Sequence, residues 1–349
     1  MKKLNIKIIL VVILMMVCSL FTACKNNKKQ VPLSNLIDWK NEEILKSGYP
    51  QWGASLVQNN TYVFYANPNR EIIRIDKRSC KKTIIKKLDK LHNYPYLRIG
   101  MILSNKTLYY VYDSCLYQCD FNGDNGKQVV SRKQLKDFTK HTNIQDTVDG
   151  VKIYNNDLYL IIGCDLLVKF DPDTKKFQTV AEEVNSGEFY KDHFYYINAD
   201  TAIYKVNLKT FKRKLVRGKK WSKEMLKSKD TVYYQTIFKI KDQLYYTCSQ
   251  GKLAADGAEP SKIYLYSENG KDIKKYNARV DLHRVVSDGT KIAYHYINDK
   301  DYLIIYDLDT KKERREELPK DIYDVVQLVD DILLYRSDKE LTYSVFEIR

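Results

Sequence analysis

Apolar and polar positions alternate along this chain in short runs, and the runs recur in a fixed order. An aromatic-rich stretch is followed by a short gap, a second apolar stretch, and an acidic turn with Lys nearby. The first copy is Tyr62-Val63-Phe64-Tyr65 with Ile72-Ile73-Arg74-Ile75-Asp76, and the second is Leu108-Tyr109-Tyr110 with Leu116-Tyr117-Gln118-Cys119-Asp120. Further copies begin at Leu158, Phe194, Leu244, Ile292 and Ile332, so successive starts lie 46, 50, 36, 50, 48 and 40 residues apart. Runs this short, bounded by Asn, Asp and Gly, read as strands joined by hairpin turns. A period near 40 to 50 residues is that of a four-stranded propeller blade.

The third copy shows all four strands: Gly150–Tyr154, Asp157–Ile162, Leu166–Phe170 and Phe177–Ala181. The turns Asn155-Asn156-Asp157 and Asp171-Pro172-Asp173-Thr174 carry hairpin chemistry. The last copy ends at Arg349 after its third strand, and Glu42-Glu43-Ile44-Leu45-Lys46 can supply the missing fourth. Pairing of that kind removes an exposed edge and joins the two ends of the chain. The expected fold is therefore all-β, a seven-bladed β-propeller over residues 42–349 closed by an N-terminal strand, with six and eight blades as the alternatives.

Composition supports a packed domain, with 44% hydrophobic and 30% charged residues. Tyrosine stands out, at 29 copies against 11 Phe and 3 Trp, and suits a half-buried pleated surface. After a leader at 1–23, five cysteines remain besides Cys24: Cys80, Cys115, Cys119, Cys164 and Cys248. The count is odd, and Cys115 and Cys119 at opposite ends of one strand stand about 13 Å apart, too far to bridge. Buried thiols are expected.

Residues 1–23 combine Lys2, Lys3 and Lys7 with an apolar run from Ile8 to Val17, the pattern of an export signal. Phe21-Thr22-Ala23-Cys24 resembles the bacterial lipobox. That resemblance implies diacylglycerol on Cys24, a membrane lipid anchor and an extracytoplasmic location, with residues 24–41 as a flexible tether. Two acyl chains hold a protein stably on a bilayer. Val286–Tyr294 with Leu303–Lys311 is similar to the repeat of TolB-type propellers, and the other copies resemble the repeats of bacterial propeller lipoproteins of unknown function. The resemblance implies a fold and a binding role and brings no catalytic residues.

Loss of the leader lowers the net charge from +15 to +12, which favours anionic partners such as wall polymers. No nucleophile elbow, Cys-x-x-Cys pair or phosphate loop is present, so neither enzyme, cofactor nor metal is expected. Asp120-Phe121-Asn122-Gly123-Asp124 has a faint calcium-loop pattern without the later Glu.

Three connections are long, Arg132–Thr147, Gly218–Thr231 and Ser249–Ser261, and propeller topology places all of them on one face. The candidate binding residues on that face are Lys219, Lys220, Trp221, Lys223, Lys136, His141, Lys252 and Asp256. The expected function is recognition of an envelope protein or an anionic polysaccharide by a monomer, without nucleic acid. The competing class is a lyase or glycosidase with carboxylates near the axis.

Overall fold

The computed structural model describes residues 33–37, 44–45, 53–89, 99–200, 202–217, 230–254, 257–267, 272–276, 285–297, 301–307, 309–317, 324–330, 332–336 and 342–347. Its strands form seven four-stranded antiparallel sheets. The first contains β2 (Leu56–Gln58), β3 (Tyr62–Ala66), β4 (Glu71–Asp76) and β5 (Lys82–Lys87). The second is β6 (Gly100–Ser104), β7 (Thr107–Tyr112), β8 (Cys115–Asp120) and β9 (Lys127–Val130). The third is β10 (Val148–Tyr154), β11 (Asp157–Ile162), β12 (Leu166–Asp171) and β13 (Lys176–Ala181), within two residues of the strands expected from the repeat.

The fourth sheet is β14 (Ser186–Tyr190), β15 (His193–Ile197), β16 (Ile203–Asn207) and β17 (Arg213–Arg217). The fifth is β18 (Asp230–Ile240), β19 (Gln243–Ala254), β20 (Gly257–Ser267) and β21 (Asp272–Tyr276). β22 (Val285–Ser287), β23 (Lys291–Ile297), β24 (Asp301–Asp307) and β25 (Glu313–Glu317) make the sixth. The seventh joins β26 (Asp324–Val329), β27 (Ile332–Arg336) and β28 (Thr342–Glu347) to β1 (Ile44–Leu45). There Ile44 pairs with Tyr343 and Leu45 with Thr342.

Middle strands read as continuous apolar runs because each sheet is covered on both faces by its neighbours. Leu158 to Ile162 are all buried, whereas the outer strand β5 buries only Ile85 and exposes Lys82, Ile84 and Lys87. Between the third and fourth sheets Phe189 is the hub of an aromatic cluster. Its ring centroid lies 4.9 Å from Tyr154, 4.6 Å from Tyr159 and 4.9 Å from Phe194. Such pairs contribute roughly 0.5–1.5 kcal/mol each beyond area burial. Gly187 faces this cluster with no room for a side chain, since an added Cβ would collide with the Phe194 ring.

The last sheet packs on the first. Ile44, Leu56, Val63 and Tyr65 share one core with Val326, Ile332, Leu334 and Tyr343. Hydrogen bonds cross the same seam: Gln327 Nε2 donates to the Leu56 carbonyl at 2.6 Å, and Gln58 Nε2 donates to Asp330 Oδ2 at 2.8 Å. Lys77 Nζ donates to Gln58 Oε1 at 2.6 Å, and burial pulls its ammonium below the usual lysine range while Asp330 pulls it back up.

Two sequence expectations change here. Leu33, Leu36 and Ile37 are buried in this seam core, so the tether expected over 24–41 gives way to packed chain at Leu33. Their spacing puts three apolar side chains on one side of a 3₁₀ turn (Leu33–Asn35) and its exit. Among the described thiols, Cys115 and Cys119 are buried, while Cys80 is exposed and Cys164 half-buried, both on turns with positive φ. Burial is the main reason the Cys119 thiol is pushed up to about 11.

Candidate binding face

All sheets share one up-and-down connectivity, so two sets of connections gather at opposite ends of the strands. At the lower end are the first-to-second and third-to-fourth turns, which are tight. Asn155 and Asn156, both with positive φ, close β10 to β11. Asp76, Asp171, Asn207 and Asp307 each accept hydrogen bonds from backbone amides two and three residues on. The Asp120 loop is built likewise, with its carboxylate accepting from the Asn122 and Asp124 amides and from Asn125 Nδ2. Arg74 Nη1 caps it by donating to the Phe121 carbonyl.

At the upper end are the second-to-third turns and the links between sheets, and backbone bonds tie the two kinds together. The Val148 amide donates to the Ser114 carbonyl, Gly163 to Thr147 and Val184 to Asp165. Asp149 Oδ2 accepts from the Cys164 amide at 2.8 Å and from Thr147 Oγ1 at 3.0 Å.

The link Arg132–Thr147 is not an open loop. It begins with α1 (Arg132–Thr139), which opens on a capping box: Gln134 N donates to Ser131 Oγ at 3.3 Å, and Ser131 N donates to Gln134 Oε1 at 2.9 Å. Leu135 is fully buried and Phe138 stacks on Phe177 at 4.8 Å, so the helix is a wedge in the core shared by the second and third sheets. Its solvent side presents Lys133, Lys136, Asp137 and Lys140, with His141 exposed just beyond. Two of the candidate residues, Lys136 and His141, therefore stand together on an ordered, exposed surface.

The expected loop Ser249–Ser261 is instead strand. β18, β19 and β20 run 11 to 12 residues, where strands of the other sheets have seven or fewer. Pairing continues to Lys252 opposite Glu259 and Ala254 opposite Gly257, while Asp230 pairs with Lys252 from the other side. The surplus projects about 15–20 Å as a three-stranded ribbon. Register sets Lys252 between Asp230 and Glu259. Cys24, Lys219, Lys220, Trp221, Lys223 and Asp256 lie outside the described residues.

Among the described residues, acids group on part of the upper face. Exposed Asp165, Glu182, Glu183 and Asp200 occupy the upper turns of the third and fourth sheets, with Asn198 Nδ2 3.5 Å from both Glu183 Oε2 and Asp200 Oδ2. Over the second sheet Asp113 Oδ1 faces Arg132 Nη2 at 3.8 Å. Outer strands such as β5 and β17 are rich in Lys and Arg. Cations there keep open edges from pairing with other chains. Nothing in the sequence pattern distinguished these acids from ordinary turn residues. Among the described residues no cluster of three or more His, Cys, Asp and Glu could hold a metal ion.

Four-stranded sheets packed in chain order, with the last on the first, admit one architecture. The chain is a β-propeller. No protein-family profile matches the sequence, and no curated protein matches it. Solved structures resemble it in fold. YCF48 bound to D1 peptide superposes with a TM-score of 0.52 at 7% identity, covering 90% of this propeller's chain and 97% of that one. The N-terminal domain of Nup159 gives 0.49 at 12% identity, covering 92% and 94%, and the computationally designed Ika8 protein gives 0.48 at 11%, covering 88% and 100%. At such identities the likeness is one of fold.

Proposed function

We propose that this protein is a lipid-anchored, extracytoplasmic binding propeller, seven-bladed and closed by its N-terminal strand, that recognises an envelope protein through its upper face and performs no chemistry there. The observation that carries the reading is the asymmetry of the ring. Lower turns are short and closed by their own Asp or Asn, while the upper end holds an ordered helical wedge and a projecting ribbon. Elaboration on one face of a repeat array is how such scaffolds build binding surfaces. The seven four-stranded sheets, with β1 paired to β28, support the blade count over six or eight. Mixed charge among the face's described residues, which include Lys133, Lys136 and Lys140 as well as Asp165, Glu182 and Glu183, favours a protein partner over a uniform polyanion. The lipobox-like Cys24 supports the anchor, and the Ile292-containing repeat supports kinship with TolB-type propellers.

Two experiments test this. Cells fed a radiolabelled fatty acid should label the wild-type chain and not Cys24→Ala. In envelope cross-linking, the wild-type chain should give a discrete adduct with one partner. Lys136→Glu/His141→Glu, or a ribbon shortened by joining Gln250 to Ser261, should lose that adduct at unchanged thermal midpoint. An adduct that survives both changes, beside an intact lipid label, would move the binding site off the upper face.

A further inference from the structure

Residues 203–217, comprising β16, its lower turn and β17, contain six Lys or Arg and no acid. Register places Lys205 directly opposite Lys214, a like-charge pair on adjacent strands. Such pairs destabilise a sheet. Neither lysine has an ion pair with a described residue; Lys205 Nζ instead lies 5.5 Å from the centre of the Tyr195 ring. Tyr195 shares its core with Ile237, Leu244 and Tyr246 of the fifth sheet, so this row looks toward the junction of sheets four and five. Arg217 extends the row across that junction, its guanidinium 5.4 Å from the Tyr246 ring centre. Protection of the β17 edge explains cations on that strand. It does not explain why the facing position on β16 is also Lys.

We propose that this strip on the outer rim, between the fourth and fifth sheets, binds a linear polyanion. Lys205, Lys214 and Arg217 are its charged contacts, and Tyr195 and Tyr246 form the floor that holds the cations in place. Repeating anionic groups along the polymer relieve the repulsion that the free protein carries, and aromatic rings beneath the cations restrict their rotamers before the ligand arrives. The strip is separate from the upper face, so its failure would leave the protein-binding reading intact. Phosphate and carboxylate polymers share the chemistry that the strip reads.

The test titrates the full chain with fluorescein-labelled linear polyphosphate and, separately, polygalacturonate, over a series of salt concentrations. Saturable binding is expected with at least one polymer, and the arm that binds tighter identifies the anion. Lys205→Gln/Lys214→Gln should weaken it at least tenfold and make the salt dependence shallower, by somewhat less than one log–log unit per cation removed. The equal-charge control Lys311→Gln/Lys312→Gln, on the exposed lower turn of the sixth sheet, should stay within twofold of wild type. Because the rim variant removes a repulsion, its thermal midpoint should hold or rise. Equal weakening in the control, absence of saturable binding, or a rim variant that melts lower while binding less would each overturn the proposal.

Discussion

One Asp or Asn side chain closes each third-to-fourth turn among the described residues of this propeller. Asp171 Oδ1 accepts from the Asp173 and Thr174 amides, and Oδ2 accepts from Thr174 Oγ1 at 2.7 Å. The Thr174 hydroxyl, followed by those two amides, holds the Asp171 carboxyl below the usual Asp range, and Asp307 is lowered chiefly by the Thr310 amide. A depressed carboxyl contributes stability that is present above its unfolded value, near 3.9, and lost as pH falls through the folded value. Asn207 performs the same task in the fourth sheet with a neutral amide, bonding Lys209, Thr210 and the Thr210 hydroxyl. Asp171→Asn is therefore expected to keep near-wild-type stability at neutral pH and to show a shallower decline below about pH 4, read by urea unfolding across an acid series. A steep loss at neutral pH would mean that charge, rather than turn geometry, does the closing. The acid-then-Ser/Thr spacing was legible as a turn in the sequence because the bonds run within four residues.

At the scale of one element, α1 and the ribbon show where local reading stops. The capping box at Ser131 lies in the sequence, as Ser131-x-x-Gln134, yet the surrounding segment reads as a long polar connection. What makes it a wedge is Phe138 meeting Phe177, a residue 39 positions later on a different strand. Ser131→Ala removes the cap and should lower stability by about 1 kcal/mol. The loss should concentrate in faster proteolysis between 131 and 147, and unaltered cleavage there would show that Leu135 and Phe138 hold the helix unaided. In the ribbon, the run from Ser249 to Ser261 has Gly, Ala and Pro, which favour turns. Pairing overrides this preference because β19 is flanked by β20 along its whole extension and by β18 as far as Lys252.

For the molecule as a whole, closure depends on two residues from the N-terminal end. Ile44 is completely buried beside Tyr343 and in the core that joins the last sheet to the first. Truncation of a buried Ile to Ala costs about 2–5 kcal/mol. Ile44→Ala should show a loss in that range by urea unfolding, since it opens the seam that Gln327, Gln58 and Asp330 also bridge. A loss typical of a surface site, within about 0.5 kcal/mol, would mean that the ring holds without this strand.

By itself the sequence determined the blades, their tight lower turns and the strand that closes the ring. Those features rest on short apolar runs recurring at a regular spacing and on turn residues that bond within a few positions of themselves. Only the tertiary structure decided that one long connection is a helical wedge, that another is paired ribbon, and that the upper turns of the third and fourth sheets are acidic while the outer strands β5 and β17 are basic. It also set Lys205 against Lys214. Each of these follows from register or from contacts between residues far apart in the chain, and no local pattern encodes which strand will lie opposite another.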